Sequence, residues 1–265
     1  MGGLKIRIII ALVIAAFSVV SYFSSSSHNA ITGENQHIGM SEEEEVAMGL
    51  QSAPEMANQF GGVSRNAEGN AIVRQIGGEV VRQSVAETSK YQFNFHLLAD
   101  PQTVNAFALP GGQIFITEAL LTRLKTKGQL AGVLGHEVGH VLARHSAEHI
   151  AKQKLTSGLT TAAVIGVDPT RGGAQMAQMV AGLINMKYGR GDELEADKLG
   201  LRLMSEAGYD PRALIGVMEI LEQASGGSRQ PEFASTHPSP ANRMQKIQDG
   251  LAALFPSGVP SGLKP

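Results

Sequence analysis

The stretch Gln129-Leu130-Ala131-Gly132-Val133-Leu134-Gly135-His136-Glu137-Val138-Gly139-His140-Val141-Leu142 decides how this chain is read. Leu130, Val133, Leu134, Val138 and Val141 recur at helical spacing and mark a largely buried helix, expected from Gln129 to Lys154. Histidines four residues apart differ by about 40° around a helix, so the His136 and His140 imidazoles leave one face, one turn apart. They can grip one divalent ion from a rigid support. Glu137 stands about 100° from His136, beside such an ion rather than on it, where a carboxylate can act as general base. His-Glu-x-x-His is the pattern of two zinc ligands and a base. In so apolar a helix an unpaired His or Glu would cost roughly several kcal/mol, which favours a working site over incidental side chains. Gly132, Gly135 and Gly139 each weaken a helix by about 1 kcal/mol, so they point to close packing or to access beside the ion.

A catalytic zinc site takes a third protein ligand and keeps a fourth position for water. The extended motif with a third histidine is ruled out, because Ala143 and Ser146 stand where its glycine and histidine would fall. The best supply is Asp192-Glu193-Leu194-Glu195-Ala196-Asp197, opening a helix expected over Asp192 to Glu206 after Gly189-Arg190-Gly191. Glu193 and Asp197 share a face one turn apart, whereas Glu195 points away.

HEVGH at 136–140 followed by ELEAD at 193–197 resembles the M48 family of zinc metallopeptidases. The resemblance runs from about Ser41 to the final helix and takes in two further motifs in order, Asn105-Ala106-Phe107-Ala108-Leu109-Pro110-Gly111-Gly112 and Thr236-His237-Pro238 with Arg243. It is similar to the soluble BepA/Oma1-like branch, since the several membrane spans of other branches are not in this sequence; the chain is expected to be too short for a TPR domain. The resemblance implies one Zn²⁺ per chain held by His136, His140 and Glu193, with Asp197 bonded to a ligand histidine and Glu137 as catalytic base. It also implies a substrate-pairing edge strand containing Asn105, Ala106, Phe107 and Ala108. His237 is the best candidate for an oxyanion donor or for a fourth ligand closing the resting site, and Arg243 would contact the oxyanion or substrate, or anchor the loop. Tyr188 and Tyr209 are weaker candidate donors. His145 and His149, continuing the zinc helix, read as solvent-facing or structural, and His28, His37 and His96 lie near no recognised motif.

Composition narrows the alternatives. The 265 residues are 43% hydrophobic and 17% charged, enough to bury a core and too apolar for disorder. A net charge of −2 gives no basic field for nucleic acid, and 5% aromatics without Trp make stacking platforms improbable. With no cysteine there is no disulfide, thiolate nucleophile or Cys-based zinc site.

Lys5 and Arg7 precede the apolar run Ile8 to Val20, which Tyr22 and Phe23 extend, so residues 1–27 read as a signal peptide or membrane anchor. The domain behind it is expected to be exported, periplasmic, and either soluble after cleavage or held at the inner membrane by residues 6–23. A polar linker (28–40), a peptidase domain (41–255) and a flexible tail (256–265) complete the expected organisation. Ser41 with Glu42 to Glu45 opens a helix; a second covers Asn70 to Glu87. Strand material lies at Tyr91 to Leu98, Ala106 to Leu109 and Gln113 to Thr117, with a tight loop at Pro110-Gly111-Gly112. Helices are expected again over Glu118 to Lys125, Arg212 to Gln223 and Pro240 to Leu254, and the Gly/Ala/Met-rich stretch 156–186, with Met176, Met179 and Met186 as packing residues, as a mobile lid. The expected fold is α+β: a mostly helical, zincin-like metallopeptidase domain with a small β-sheet beside the His136–His140 helix. The expected function is zinc-dependent endoproteolysis of polypeptides, unfolded or misassembled envelope proteins above all, in envelope protein quality control. The alternative is a chaperone-like polypeptide-binding protein with minor or latent proteolysis.

Overall fold

Four glutamates in a row behind Ser41 do open a helix, and the elements around it follow in chain order in the computed structural model, which describes residues 2–167, 187–225, 232–237 and 242–265. Helix α1 (Gly2–Ser24) leads into short strands β1 (Ser26–His28) and β2 (Asn35–His37), then α2 (Glu42–Gln59) and α3 (Ala67–Arg82). Strands β3 (Asn94–Leu98), β4 (Ala106–Leu109) and β5 (Gln113–Thr117) follow, with the short α4 (Glu118–Leu121). The rest is helical: α5 (Lys127–Leu142), α6 (His145–Val167), α7 (Arg190–Glu206), α8 (Ala213–Ser225), α9 (Glu232–Thr236) and α10 (Arg243–Leu254). This is the mostly helical α+β architecture that the sequence implies. Residues 168–186, the greater part of the expected lid with Met176, Met179 and Met186, and Pro238 lie outside the described residues.

The chain forms two units, one of residues 1–41 and 146–186, the other of residues 42–145 and 187–265. In the first, Leu4–Ser24 has mean hydropathy 2.4 and is long and apolar enough to cross a membrane, which suits a signal or an anchor. Its apolar side chains, such as Phe17 and Val20, are exposed. Residues 28–40, read as a linker, contain part of an antiparallel strand pair with Ser27 opposite Gln36. Asn29 closes its turn by accepting from the Ile31 N–H at 2.9 Å. α6 packs on α1 where a methyl group on Gly158 would strike Ser18 Oγ.

The second unit is built round α5. Strand order is β3-β5-β4, with β3 parallel and β4 antiparallel to β5. The turn between β4 and β5 has Gly111 and Gly112 at φ 76° and 103°, values that favour glycine. Ile114, Ile116 and Leu97 from the sheet, with Ile76 and Val80 from α3, form an apolar layer fully removed from water. α5 lies against this layer and is buried from Leu130 to Leu142. Its other side meets α7 through glycines. A Cβ on Gly139 would come within 3.0 Å of Ala196 O, and one on Gly200 within 3.1 Å of His136 N. The glycines of α5 therefore serve close packing.

Several boundaries differ from the periodicity. The helix expected over Asn70 to Glu87 starts earlier, because Asn66 caps it by accepting from the Gly69 N–H. It stops at Arg82, and a 3-10 turn covers Val85–Thr88. The helix expected over Gln129 to Lys154 breaks at Ala143–Arg144, where Arg144 takes φ 56°. An ion pair from the part-buried Arg144 Nε to the buried Glu45 Oε1 at 2.7 Å holds the break. Residues 256–265, read as a tail, are tied to this unit: Lys264 N–H donates to Gly208 O, and Gly128 N–H donates to Pro265 O.

Candidate metal centre

One buried carboxylate and three imidazoles meet at a point. His136 and His140 come from α5, Glu193 from the first turn of α7, and His237 from the residue after α9. Each offers one ligand atom, and these atoms all lie within 4.8 Å of one another. His136 Nε2 is 3.0 Å from His140 Nε2 and 3.4 Å from His237 Nδ1. Glu193 Oε1 stands 3.0 Å from His237 Nδ1 and 3.4 Å from His140 Nε2. All four residues are at most 2% exposed.

The local sequence explains the convergence. Thr126 caps α5 by accepting from the Gln129 N–H, which fixes the start of the helix carrying both histidines. Asp192 accepts from the Gly189 N–H at 2.8 Å and so shapes the entry to α7. α7 then presents Glu193 and Asp197 on one face. Tyr188 N–H donates to Thr236 O at 3.1 Å, tying the approach to α7 to the His237 segment.

Supporting contacts surround the group. Asp197 Oδ1 lies 2.9 Å from His136 Nδ1, and Arg243 holds the same carboxylate with Nε and Nη2 at 2.7 and 2.8 Å. Arg243 Nη1 is also 3.1 Å from Glu193 Oε2, close in distance but not aligned as a hydrogen bond, since that oxygen has no such partner. His140 stacks on Tyr188 at 3.9 Å between ring centroids, and Phe233 stacks on His237 at 4.4 Å. Glu137 is fully buried, both its oxygens lack a hydrogen-bond partner, and Oε1 stands 3.7 Å from His237 Nε2.

The electrostatics are those of a cation site. Burial alone would push the Glu193 carboxyl up, but His237 and hydrogen bonds from the ligand histidines hold it well below the usual carboxylate range. Burial likewise opposes charge on His136, yet Asp197 and Glu193 raise it to about 9. His140, with burial dominant, is driven far below an ordinary imidazole. Burial also lifts Glu137 above its usual range, against the pull of His237 and His136. Two imidazole nitrogens 3.0 Å apart repel unless a proton or a cation lies between them, and buried Glu193 Oε2 and His237 Nε2 are left unpartnered. A three-nitrogen, one-carboxylate set of this size fits zinc.

The structure thus brings His136, Glu137, His140, Glu193, Asp197, His237 and Arg243 together. Asn105 to Ala108 also lie near one edge of the sheet. β4 pairs only with β5 among the described residues, and its side chains are buried. Val104 O, just before it, accepts from the Phe233 N–H at 3.2 Å, and the buried Asn105 Oδ1 has no hydrogen-bond partner. Tyr209 is elsewhere, donating to Glu79 Oε2 at 2.7 Å. His28 pairs with Asn35, His37 packs on Tyr22 and Phe23, and His96 meets Gln113 Oε1 at 3.0 Å. His149 sits on α6, outside the cluster. Of the two readings for His145, solvent-facing or structural, the first does not hold: it is 1% exposed, and its Nδ1 lies 2.8 Å from His140 Nδ1. The only signal in the sequence was its position just beyond Arg144, which tells nothing until the helix break is known.

Two histidines one helical turn apart, a glutamate from a second helix and the buried Glu137 beside them make up a metallopeptidase-type constellation. The profile of peptidase family M48 matches residues 67–250, and the chain belongs to that family, whose members use zinc. It is 34% identical over 171 residues to the mitochondrial metalloendopeptidase OMA1 of Schizosaccharomyces pombe, covering 63% of this chain and 49% of the relative. It is 29% identical over 187 residues to the beta-barrel assembly-enhancing protease of Escherichia coli, covering 67% of this chain and 38% of that one. The Arabidopsis thaliana OMA1 is 39% identical over 151 residues, 57% of this chain and 30% of the relative. The matches thus span half or less of the length of these relatives.

Proposed function

We propose that this chain is a zinc-dependent metalloendopeptidase that hydrolyses peptide bonds in polypeptides. The observation that carries the reading is the buried convergence of His136, His140, Glu193 and His237 with the unpartnered Glu137 carboxylate beside them. His136, His140 and Glu193 are the ligands in this reading. Zinc, when bound, supplies Lewis acidity and lowers the pKa of a water toward about 7. Glu137, raised by burial toward the working range of a general base, takes the proton of the attacking water at its carboxylate and delivers it to the leaving amine. Asp197, clamped by Arg243, fixes the His136 ring; Arg243 acts from behind the ligands, as an anchor rather than a contact to the oxyanion. The edge of β4 and Asn105 would pair with an extended substrate backbone.

His237 Nδ1 lies within the ligand group, 3.0 Å from Glu193 Oε1, so it would hold a bound metal together with His136, His140 and Glu193, and opening the site to substrate would require its withdrawal. That burial also favours a second reading, a polypeptide-binding protein with latent proteolysis. We assign the chain to the envelope as an exported, periplasmic protein, soluble after cleavage or anchored by residues 6–23, acting on unfolded or misassembled envelope proteins. The apolar Leu4–Ser24 helix, with Lys5 and Arg7 at its start, supports the location, and the name of the Escherichia coli relative supports the substrate class.

The test combines metal analysis with cleavage of casein by the full chain. Glu137→Gln is expected to keep zinc and lose turnover by about 10²-fold or more, and Glu193→Ala to lose zinc. Persistent cleavage by zinc-loaded Glu137→Gln removes the assigned base. Binding of unfolded chains without cutting, by wild type and by His237→Ala alike, selects the second reading.

A further inference from the structure

A continuous helix would carry a residue five positions beyond His140 about 140° round the axis, away from its ring. The break at Arg144 cancels that rotation and starts α6 at His145, whose buried Nδ1 comes to 2.8 Å from His140 Nδ1. On its other side His145 Nε2 lies 3.0 Å from Glu195 Oε2. Glu195 is two residues from Glu193, so α7 turns one carboxylate to the ligand cluster and the other outward to His145.

We propose that His145 and Glu195 are positioning residues that set the tautomer and ring orientation of His140. This rests on the metal-site reading above. An ionised carboxylate only accepts, so of the two His145 tautomers Glu195 selects the one with its proton on Nε2. His145 Nδ1 is then an acceptor, and His140 must donate to it from Nδ1. The lone pair of His140 is left on Nε2, the nitrogen that faces His136 Nε2 and Glu193 Oε1. The two ligand histidines are therefore oriented alike by different means. His136 meets a carboxylate, Asp197, directly, whereas His140 meets one through a second imidazole. The opposite arrangement, with His145 donating to His140 Nδ1, would put the His140 proton on Nε2 and aim it at Glu193, which blocks ligation through that atom. Partners of this kind raise ligand basicity and are worth about 10- to 100-fold in metal affinity.

The experiment measures imidazole nitrogen tautomers by NMR on the histidine-labelled full chain in detergent, with and without Zn²⁺, and zinc affinity by chelator competition. His140 should carry its proton on Nδ1 and His145 on Nε2 in both states. His145→Leu should weaken zinc binding by about tenfold or more. His145→Asn, whose amide oxygen takes the place of Nδ1, should recover most of that loss, and Glu195→Leu should redistribute the His145 tautomers. A His140 proton on Nε2 in metal-free wild type overturns the proposal, as does zinc binding by folded His145→Leu within twofold of wild type. Should His145→Leu not fold, the wild-type tautomers decide. Wild type that binds no zinc would sink the metal-site reading instead, while the metal-free spectrum would still judge the relay.

Discussion

Arg243 grips Asp197 with two guanidinium nitrogens, Nε to Oδ2 at 2.7 Å and Nη2 to Oδ1 at 2.8 Å, and both side chains are almost fully buried. Burial penalises each charge, and the partner more than offsets it: Asp197 stays below its ordinary range and Arg243 above. Removing one member leaves the other uncompensated, which costs about 3–5 kcal/mol. Arg243→Leu should therefore lose that much in urea unfolding and weaken zinc binding as His136 loosens. Arg243→Lys, a point charge without the fork, should fall between. Unchanged stability in Arg243→Leu would contradict the assignment.

The closeness of α5 and α7 gives a second expectation. The backbone N of His136 lies 3.1 Å from the place of a Cβ on Gly200, with the His136 Cα at 3.3 Å. Gly200→Val must move α7 away from the helix carrying both histidines. Zinc affinity should fall by about tenfold or more, in keeping with sites that need their ligands within about 0.5 Å. Isothermal titration on the folded variant checks it.

At the sheet end of the domain, Gly111 combines φ 76° with a site where a Cβ would collide with the Val46 backbone. Gly111→Ala faces both the left-handed penalty of about 1–2 kcal/mol and a clash with main chain of α2 that cannot rotate away. A thermal midpoint lowered by several degrees is expected. The glycine after it has a positive φ but no contact under 3.0 Å, so Gly112→Ala should be milder.

Stability should also depend on pH through Glu45. Burial, opposed by Arg144, raises this carboxyl from 4.5 to about 7. Between those values the folded protein binds more protons than the unfolded chain, so stability falls as pH rises. The contribution is whole below pH 4.5 and lost as pH rises through about 7. Thermal midpoints of wild type and Glu45→Gln, compared from pH 5 to 8, should diverge with wild type declining; a constant difference would refute this.

Periodicity within the sequence determined the pieces. Spacing along one helix put His136 and His140 on a common face, with Glu137 beside them. The same rule put Glu193 and Asp197 together and turned Glu195 away; alternation marked β3, and short apolar runs flanking Pro110-Gly111-Gly112 marked β4 and β5. These are local consequences of helix and strand geometry, so a single chain reports them. Tertiary structure alone decided what those faces meet. The turning of His145 onto His140 depends on an Arg144 conformation held by Glu45, 99 residues away in sequence. The burial of Arg243 on Asp197 and the entry of His237 into the ligand group join separate helices and the segment after α9. Such contacts are set by non-local packing and by the need to pair buried charges, neither of which leaves a period in the sequence.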